Sequence, residues 1–224
     1  SLTNFIQEHI LIVTGAMELW GAPMSNNIVD DGFAFGKQLF GEILSEGVTK
    51  TKPGSLKFLL FGSKVSQQSL IIKIGRRFEK LFEYFIDRSP VNLVLLPSGV
   101  HKETKTDRDL IAIDHTRKII YYREMKANIN LDTEKLPATI EKIKRVGASL
   151  KRERSGYKVN AGCLCWTVYE KTELEGNLKS KVREFEKAGV TLDCAGDFFK
   201  FMRISMTEKK YYDYFRSLGE IINE

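Results

Sequence analysis

The chain is poor in the residues that build thiolate, zinc or disulfide sites, since its 224 residues include only three Cys and three His. Two of the cysteines form the C-x-C of Cys163 and Cys165. An odd number of thiols does not fit a disulfide framework, and Cys and His together are too few for a zinc knuckle. Unpaired thiols indicate a reducing compartment, so we expect a cytoplasmic location.

Long hydrophobic runs are also lacking. The longest apolar segments, at 10–13 and 91–96, are far shorter than the roughly 20 residues of a membrane span. No basic region followed by a small-residue cleavage site opens the chain. Neither G-x-G-x-x-G nor G-K-[ST] follows a predicted strand. We therefore expect no membrane partner, no nucleotide cofactor and no nucleotide hydrolysis.

What the chain does contain is a moderate excess of positive charge over an ordinary apolar content. Lys and Arg number 35 against 29 Asp and Glu, which gives a formal net charge of +6. Such an excess favours a polyanionic partner. Hydrophobic residues make up 42% of the sequence, which is enough to build the core of a single domain over 1–224.

Apolar periodicity predicts an α/β fold in which a mixed central sheet is flanked by helices. The predicted core covers 66–195, with helical additions at 1–65 and 196–224, and the polar stretch 49–57 is a candidate linker or loop. The strand 91–96 is rich in Val and Leu and is expected to be buried. We expect strands at 91–96, 109–114, 119–126, 159–168 and 190–194, and helices at 4–14, 33–44, 66–88, 138–154, 178–187, 197–202 and 208–222.

Acidic residues are concentrated on the hairpin that joins the second and third predicted strands. A turn centred on Thr116 and Arg117 would set Asp109 directly opposite Glu124. A turn one residue earlier would instead set Asp107 against Glu124. In either register two carboxylates lie within a few ångströms of each other.

The pair Glu124 and Lys126 ends an otherwise apolar strand, where charged side chains are costly unless they have a function. Residues two apart on a strand share a face, so the ammonium lies beside the carboxylate. Paired carboxylates suit Mg²⁺, and a neighbouring Lys would orient the attacking water or stabilise its hydroxide. The alternative is an exposed hairpin with cross-strand ion pairs, which contribute little.

Asp109, an apolar strand, a short turn, a second apolar strand and then Glu124-x-Lys126 resemble the signature of the PD-(D/E)xK nucleases, in particular the type II restriction endonucleases. The similarity covers 71–194 and implies a restriction-endonuclease-like αβββαβ core. It implies that Asp109 and Glu124 bind Mg²⁺ and that Lys126 positions the water. It also implies that Glu79, on the preceding helix, is an accessory catalytic acid.

One position departs from the family pattern, because Arg108 stands where the signature has Pro. The choice between Asp107 and Asp109 as the metal ligand is therefore open, and Asp109 is preferred because it begins the apolar strand. Loss of Glu124 is expected to relieve carboxylate repulsion, and so to leave the stability of the metal-free protein unchanged or slightly higher.

The resemblance implies an Mg²⁺-dependent, sequence-specific endonuclease for double-stranded DNA that leaves 5′-phosphate and 3′-hydroxyl ends. A homodimer is expected, since two-fold protein symmetry matches a palindromic site. A repair or recombination nuclease of the same superfamily and a non-catalytic nucleic-acid-binding protein are the alternatives.

The helix expected after the strand with Glu124 and Lys126 carries a local excess of positive charge over 141–154. Basic residues on such a helix would contact phosphates through a salt-dependent, sequence-independent interaction. The same charges would also be found on an ordinary solvated helix face. The candidates for DNA contact are Lys144, Arg145, Lys151 and Arg152.

Overall fold

The computed structural model describes residues 27–45, 67–101, 105–131 and 134–223. The helix expected at 4–14 and the loop expected at 49–57 lie outside these ranges. No helix in the described ranges is both long enough and apolar enough to cross a membrane.

A five-stranded mixed sheet forms the centre of the fold. In their order across the sheet, its strands are Val94–Leu96 (β1), Leu110–Asp114 (β4), Ile119–Lys126 (β5), Lys158–Cys165 (β6) and Thr191–Cys194 (β7). The first three of these strands are antiparallel neighbours, whereas β5, β6 and β7 run parallel. The mixed α/β architecture expected from the sequence is therefore confirmed. A separate two-stranded ribbon pairs Gly99–Val100 (β2) with Asp107–Arg108 (β3).

Helices cover both faces of the sheet. One layer contains Ile28–Ser45 (α1), Gln67–Arg88 (α2), Ala195–Phe201 (α6) and Glu208–Asn223 (α7), and the other contains Lys135–Glu153 (α3), Lys171–Asn177 (α4) and Lys179–Lys187 (α5). Alternation along β4 directs Leu110 and Ala112 toward the layer of α1, α2, α6 and α7, and Ile111 and Ile113 toward the layer of α3, α4 and α5. Each layer has its own buried apolar cluster.

Two of the differences from the sequence expectation have a clear physical cause. The strand expected at 91–96 begins only at Val94, whose side chain is 45% exposed because β1 is an edge strand rather than a buried one. Helix α4 was not predicted, since Leu174 is its only buried side chain among those described. A capping box between Glu170 and Glu173 begins this helix.

All three cysteines are buried free thiols. Cys165 on β6 and Cys194 on β7 are register partners on adjacent parallel strands. Burial is the main cause that raises the pKa of Cys194 to about 12, which keeps this thiol protonated and unreactive at neutral pH.

The β4–β5 hairpin adopts the first of the two registers considered from the sequence. Leu110 pairs with Arg123, and Asp114 pairs with Ile119. The Asp114 Oδ1 atom accepts a hydrogen bond of 2.8 Å from the backbone N–H of Arg117, which stabilises the turn. Continued by one residue, this register sets Asp109 opposite Glu124.

Immediately before β4 the chain leaves the main sheet, because Asp107 pairs with Val100 of β2. Arg108 is buried and donates to Glu153 Oε1 at 2.6 Å and to Ser149 Oγ at 3.2 Å, both on α3. The Arg that departs from the family pattern is therefore an ion-pair anchor between the ribbon and a helix. The hydrogen bond from Arg108 is the main cause that lowers the pKa of Glu153 to about 2.

Close packing of β6 against β7 generates a stability prediction at Gly162. A Cβ at this position would lie 2.6 Å from the Thr191 carbonyl oxygen. We predict that Gly162→Ala lowers the free energy of unfolding by about 1–3 kcal/mol, because backbone has to shift. Urea unfolding followed by circular dichroism measures the change.

The matched control is Gly75→Ala in α2, where no atom of the described residues lies within 4 Å of the added Cβ. This variant is expected to gain about 0.5–1 kcal/mol through helix propensity. Equal stability of Gly162→Ala and the wild type would contradict the close approach of β6 and β7.

Candidate functional site

The candidate site lies where β4 begins and β5 ends. Asp109 immediately precedes β4, and Glu124 and Lys126 are in the last three residues of β5. The side chains of both acids are almost fully buried, with Asp109 7% and Glu124 1% exposed. The structure thus brings together the three residues that the sequence motif singled out.

Asp109 is held against β5 by a backbone contact. Its Oδ2 atom accepts a hydrogen bond of 2.7 Å from the Met125 N–H. The Oδ1 atom lies 3.7 Å from the Nζ of Lys142, which projects from α3. One carboxylate oxygen is therefore fixed by the hairpin, and the other faces a cation from the helix layer.

Glu124 has polar partners on both carboxylate oxygens. Oε1 accepts from Lys126 Nζ at 2.8 Å. Oε2 accepts from the Tyr122 hydroxyl at 2.8 Å and lies 2.5 Å from Lys142 Nζ. Two ammonium groups and a phenol thus compensate a single buried carboxylate.

The two carboxyl groups respond to this environment in opposite directions. Burial by itself would raise the pKa of Glu124, but the ion pairs and hydrogen bonds with Lys126 and Lys142 outweigh it and lower the pKa. Burial, and then repulsion from Glu124, raise the pKa of Asp109 to about 6. Glu124 therefore holds its charge most firmly, whereas Asp109 gains most from an additional cation.

The lysine partners of Glu124 lead to a stability expectation that differs from the one based on carboxylate repulsion alone. Burial would lower the pKa of Lys126, but pairing with Glu124 outweighs it and raises the pKa. Removal of Glu124 would leave a partly buried ammonium without its partner. We expect such a change to destabilise the metal-free protein.

Glu79 approaches the site from α2, on the other face of the sheet. Burial, followed by the charges of Asp109 and Asp107, raises the pKa of Glu79 to about 7. Glu83, one helical turn later, accepts a hydrogen bond of 2.6 Å from Ser98 and ties α2 to the loop after β1. Of these two acids, Glu79 is therefore the one whose pKa is raised by the charge of Asp109.

Asp107 is the alternative ligand considered from the sequence. It is exposed and belongs to the β2–β3 ribbon rather than to the hairpin ladder. Of the two acids, Asp109 is the one that bonds to β5 and shares a cation with Glu124.

Lys142 is the site residue that sequence reasoning missed. In the sequence it is one of the basic residues of the stretch 141–154 and is not among the candidates for DNA contact. On a helix with 3.6 residues per turn, Lys142, Ser149 and Glu153 share one flank, and the latter two contact the buried Arg108. The signal available in the sequence was the position of Lys142 immediately before Ile143, on the border of the buried stripe.

The four candidates for DNA contact on α3 are all exposed but do not share one flank. Measured around the helix axis from Lys142, Arg145 and Arg152 lie about 60–80° away. Lys144 and Lys151 lie about 160–180° away. The two arginines therefore adjoin the flank that reaches the site, and the two lysines lie on the far flank.

Two carboxylates as the protein ligands fit a magnesium ion better than a zinc ion. The part of the chain that the structure describes contains no group of three or more His, Cys, Asp or Glu that could hold a metal ion. A bound ion would depend on Asp109 and Glu124 and complete its shell with water and phosphate oxygens. Mg²⁺ has this preference, whereas zinc sites generally use three or four protein ligands.

Comparison with known proteins assigns no relative. No protein-family model matches the chain, no curated protein matches it, and no solved structure matches it.

The raised pKa of Glu79 generates a prediction about stability and pH. Its folded pKa of about 7 exceeds its ordinary value of 4.5, so the folded state binds this proton more tightly than the unfolded state. Stability from this group is then present below about pH 4.5 and is lost as the pH rises through 7. We predict that Glu79→Gln becomes progressively more stable relative to wild type across this window.

Urea unfolding between pH 4.5 and 8 measures the difference, with the pH range set by the ordinary and folded pKa values of Glu79. Glu175→Gln, which changes an exposed acid on α4, is the matched control and should give a constant difference. A pH-independent difference for Glu79→Gln would contradict the proximity of this acid to Asp109.

Proposed function

We propose that this protein is an Mg²⁺-dependent endonuclease of the PD-(D/E)xK type that hydrolyses phosphodiester bonds in double-stranded DNA. The observation that carries the proposal is the convergence of Asp109, Glu124 and Lys126 at one end of the β4–β5 hairpin. The order α2-β1-β4-β5-α3-β6 further supports a restriction-endonuclease-like αβββαβ core.

Asp109 and Glu124 are the residues that would hold the ion. When bound, Mg²⁺ supplies charge neutralisation at the scissile phosphate and a lowered pKa for a coordinated water. Asp109 contributes a carboxylate whose position is set by the Met125 N–H. Glu124 contributes a carboxylate that stays ionised because of its lysine partners.

Lys126 is the residue that would act on the attacking water. Its side chain is 31% exposed, and its Nζ is anchored 2.8 Å from Glu124 Oε1. The ammonium therefore reaches solvent beside a metal ligand, where it orients the nucleophile and stabilises developing negative charge. Glu79, with a pKa of about 7, is an accessory acid that can release or accept a proton near neutral pH.

Sequence-specific cleavage by a homodimer, as in type II restriction enzymes, is the proposed form of the activity. A two-fold axis relating two such sites would match the symmetry of a palindromic duplex. The products would carry 5′-phosphate and 3′-hydroxyl ends.

A digest of phage DNA with Mg²⁺ or with EDTA tests the proposal. Discrete fragments that require Mg²⁺ support a restriction enzyme. A smear supports a repair or recombination nuclease of the same superfamily. Intact but retarded DNA in both conditions would contradict catalysis and support a non-catalytic binding protein.

The choice between the two candidate acids gives a cleavage prediction. We predict that Asp109→Asn loses at least about a hundredfold in cleavage rate, since a metal ligand is removed. Asp107→Asn, two residues away on the ribbon, is the matched control and should keep most of the activity. Rates come from single-turnover digestion of a supercoiled plasmid, and reversed results would assign the ion to Asp107.

The division of α3 into two flanks gives a binding prediction. Each phosphate contact that is removed lowers the log–log salt slope of DNA binding by about 0.9. We expect this decrease for Arg145→Ala and for Arg152→Ala. Lys144→Ala and Lys151→Ala are matched controls on the far flank and should change the slope less.

Binding is measured with a duplex in Ca²⁺, which usually supports binding without cleavage in the family that the chain resembles. Equal slopes for the wild type and both arginine variants would remove α3 from the DNA interface.

A further inference from the structure

Lys142 makes a bridging contact that the proposed reaction does not use. Its Nζ lies 2.5 Å from Glu124 Oε2 and 3.7 Å from Asp109 Oδ1. One ammonium group thus touches one oxygen of each proposed metal ligand. Lys126 makes a different contact, since it is paired with the other oxygen of Glu124.

We propose that Lys142 is a resident counter-ion that occupies the position of the divalent cation in the metal-free protein and is displaced when the metal binds. This inference rests on the proposed function, because it takes Asp109 and Glu124 as the metal ligands. It concerns metal affinity and the order of binding rather than the hydrolytic step.

The electrostatic reason is the burial of two carboxylates side by side. Without a cation between them, Asp109 and Glu124 would repel each other in a region with little access to water. Lys142 reaches them from α3, a different element, and its side chain is only 22% exposed. The ammonium therefore pairs closely with Glu124 and partly compensates Asp109 before any metal arrives.

The same contact weakens metal binding in the absence of DNA, because the ion has to displace a charge that is already well placed. Lys142 lies on the flank of α3 that adjoins Arg145, so a displaced ammonium remains near the proposed path of the DNA backbone. A phosphate oxygen would then be its new partner. Metal and DNA would each favour the binding of the other.

The first test measures metal affinity without DNA. Isothermal titration calorimetry with Mn²⁺ compares the wild type, Lys142→Met and the matched control Lys144→Met, which changes an exposed residue of the same helix. We expect Lys142→Met to bind Mn²⁺ at least about tenfold more tightly, because no ammonium has to be displaced. Lys144→Met should match the wild type within about twofold, since its exposed charge is screened by solvent.

The second test uses the wild type alone, so it does not depend on the folding of a variant. Limited acetylation of lysine amines, read by mass spectrometry, reports how accessible each ammonium is. We expect the rate at Lys142 to rise several-fold at saturating Mn²⁺, while the rate at Lys144 stays constant. A purely structural ion pair would keep the same rate with and without metal.

The outcomes separate the two proposals. Tight metal binding by the wild type, with equal affinity in Lys142→Met and an unchanged acetylation rate at Lys142, would overturn the counter-ion role alone. Failure of both the wild type and Lys142→Met to bind Mn²⁺ would overturn the metal site, and with it the proposed nuclease. Metal binding that appears only in Lys142→Met would support the inference in its strongest form.

Discussion

Two carboxylates buried beside each other at the end of one hairpin set the main physical constraint on this structure. Glu124 is satisfied by two lysines and a phenol, so its charge is retained at the centre of the cluster. Asp109 has a single backbone donor and a more distant lysine, so its charge is poorly compensated. Asp109 is therefore the member of the pair that a bound cation would stabilise most under the proposed function.

The surrounding layers supply the parts of this cluster from different directions. The β4–β5 register brings the two acids together, and α3 delivers Lys142 from one face of the sheet. Helix α2 brings Glu79 from the opposite face. Arg108 is buried against α3 and fixes the chain immediately before Asp109. The ribbon and the helix together therefore determine the position of the Asp109 backbone.

Much of the hairpin was predictable because its determinants are local. The sequence predicted the limits of β5 as 119–126. Of the two registers that the sequence left open, the first is formed, with a turn that Asp114 stabilises through the Arg117 N–H. Period-two alternation then places Glu124 and Lys126 on one face. A short sequence segment therefore contains most of the information for three of the site residues.

The remaining features depend on contacts between distant segments, which a local pattern does not contain. Lys142 belongs to the site because α3 packs with one flank along the end of the sheet, and its own neighbours in sequence do not show this. The β2–β3 ribbon forms where Arg108 pairs with Glu153, 45 residues later. Exposure of Val94 follows from the place of β1 at the sheet edge, which depends on the order of all five strands.

Metal-directed cleavage of the protein's own backbone tests the proposal that a divalent cation binds between Asp109 and Glu124. Fe²⁺ accepts the same oxygen ligands, and with ascorbate and peroxide it generates radicals that cut the chain beside the bound ion. The expected fragments end near 107–110 and 124–126, and Mg²⁺ competition should suppress them. Cuts confined to other regions, or cuts that persist in an Asp109→Asn, Glu124→Gln double variant, would contradict the claim.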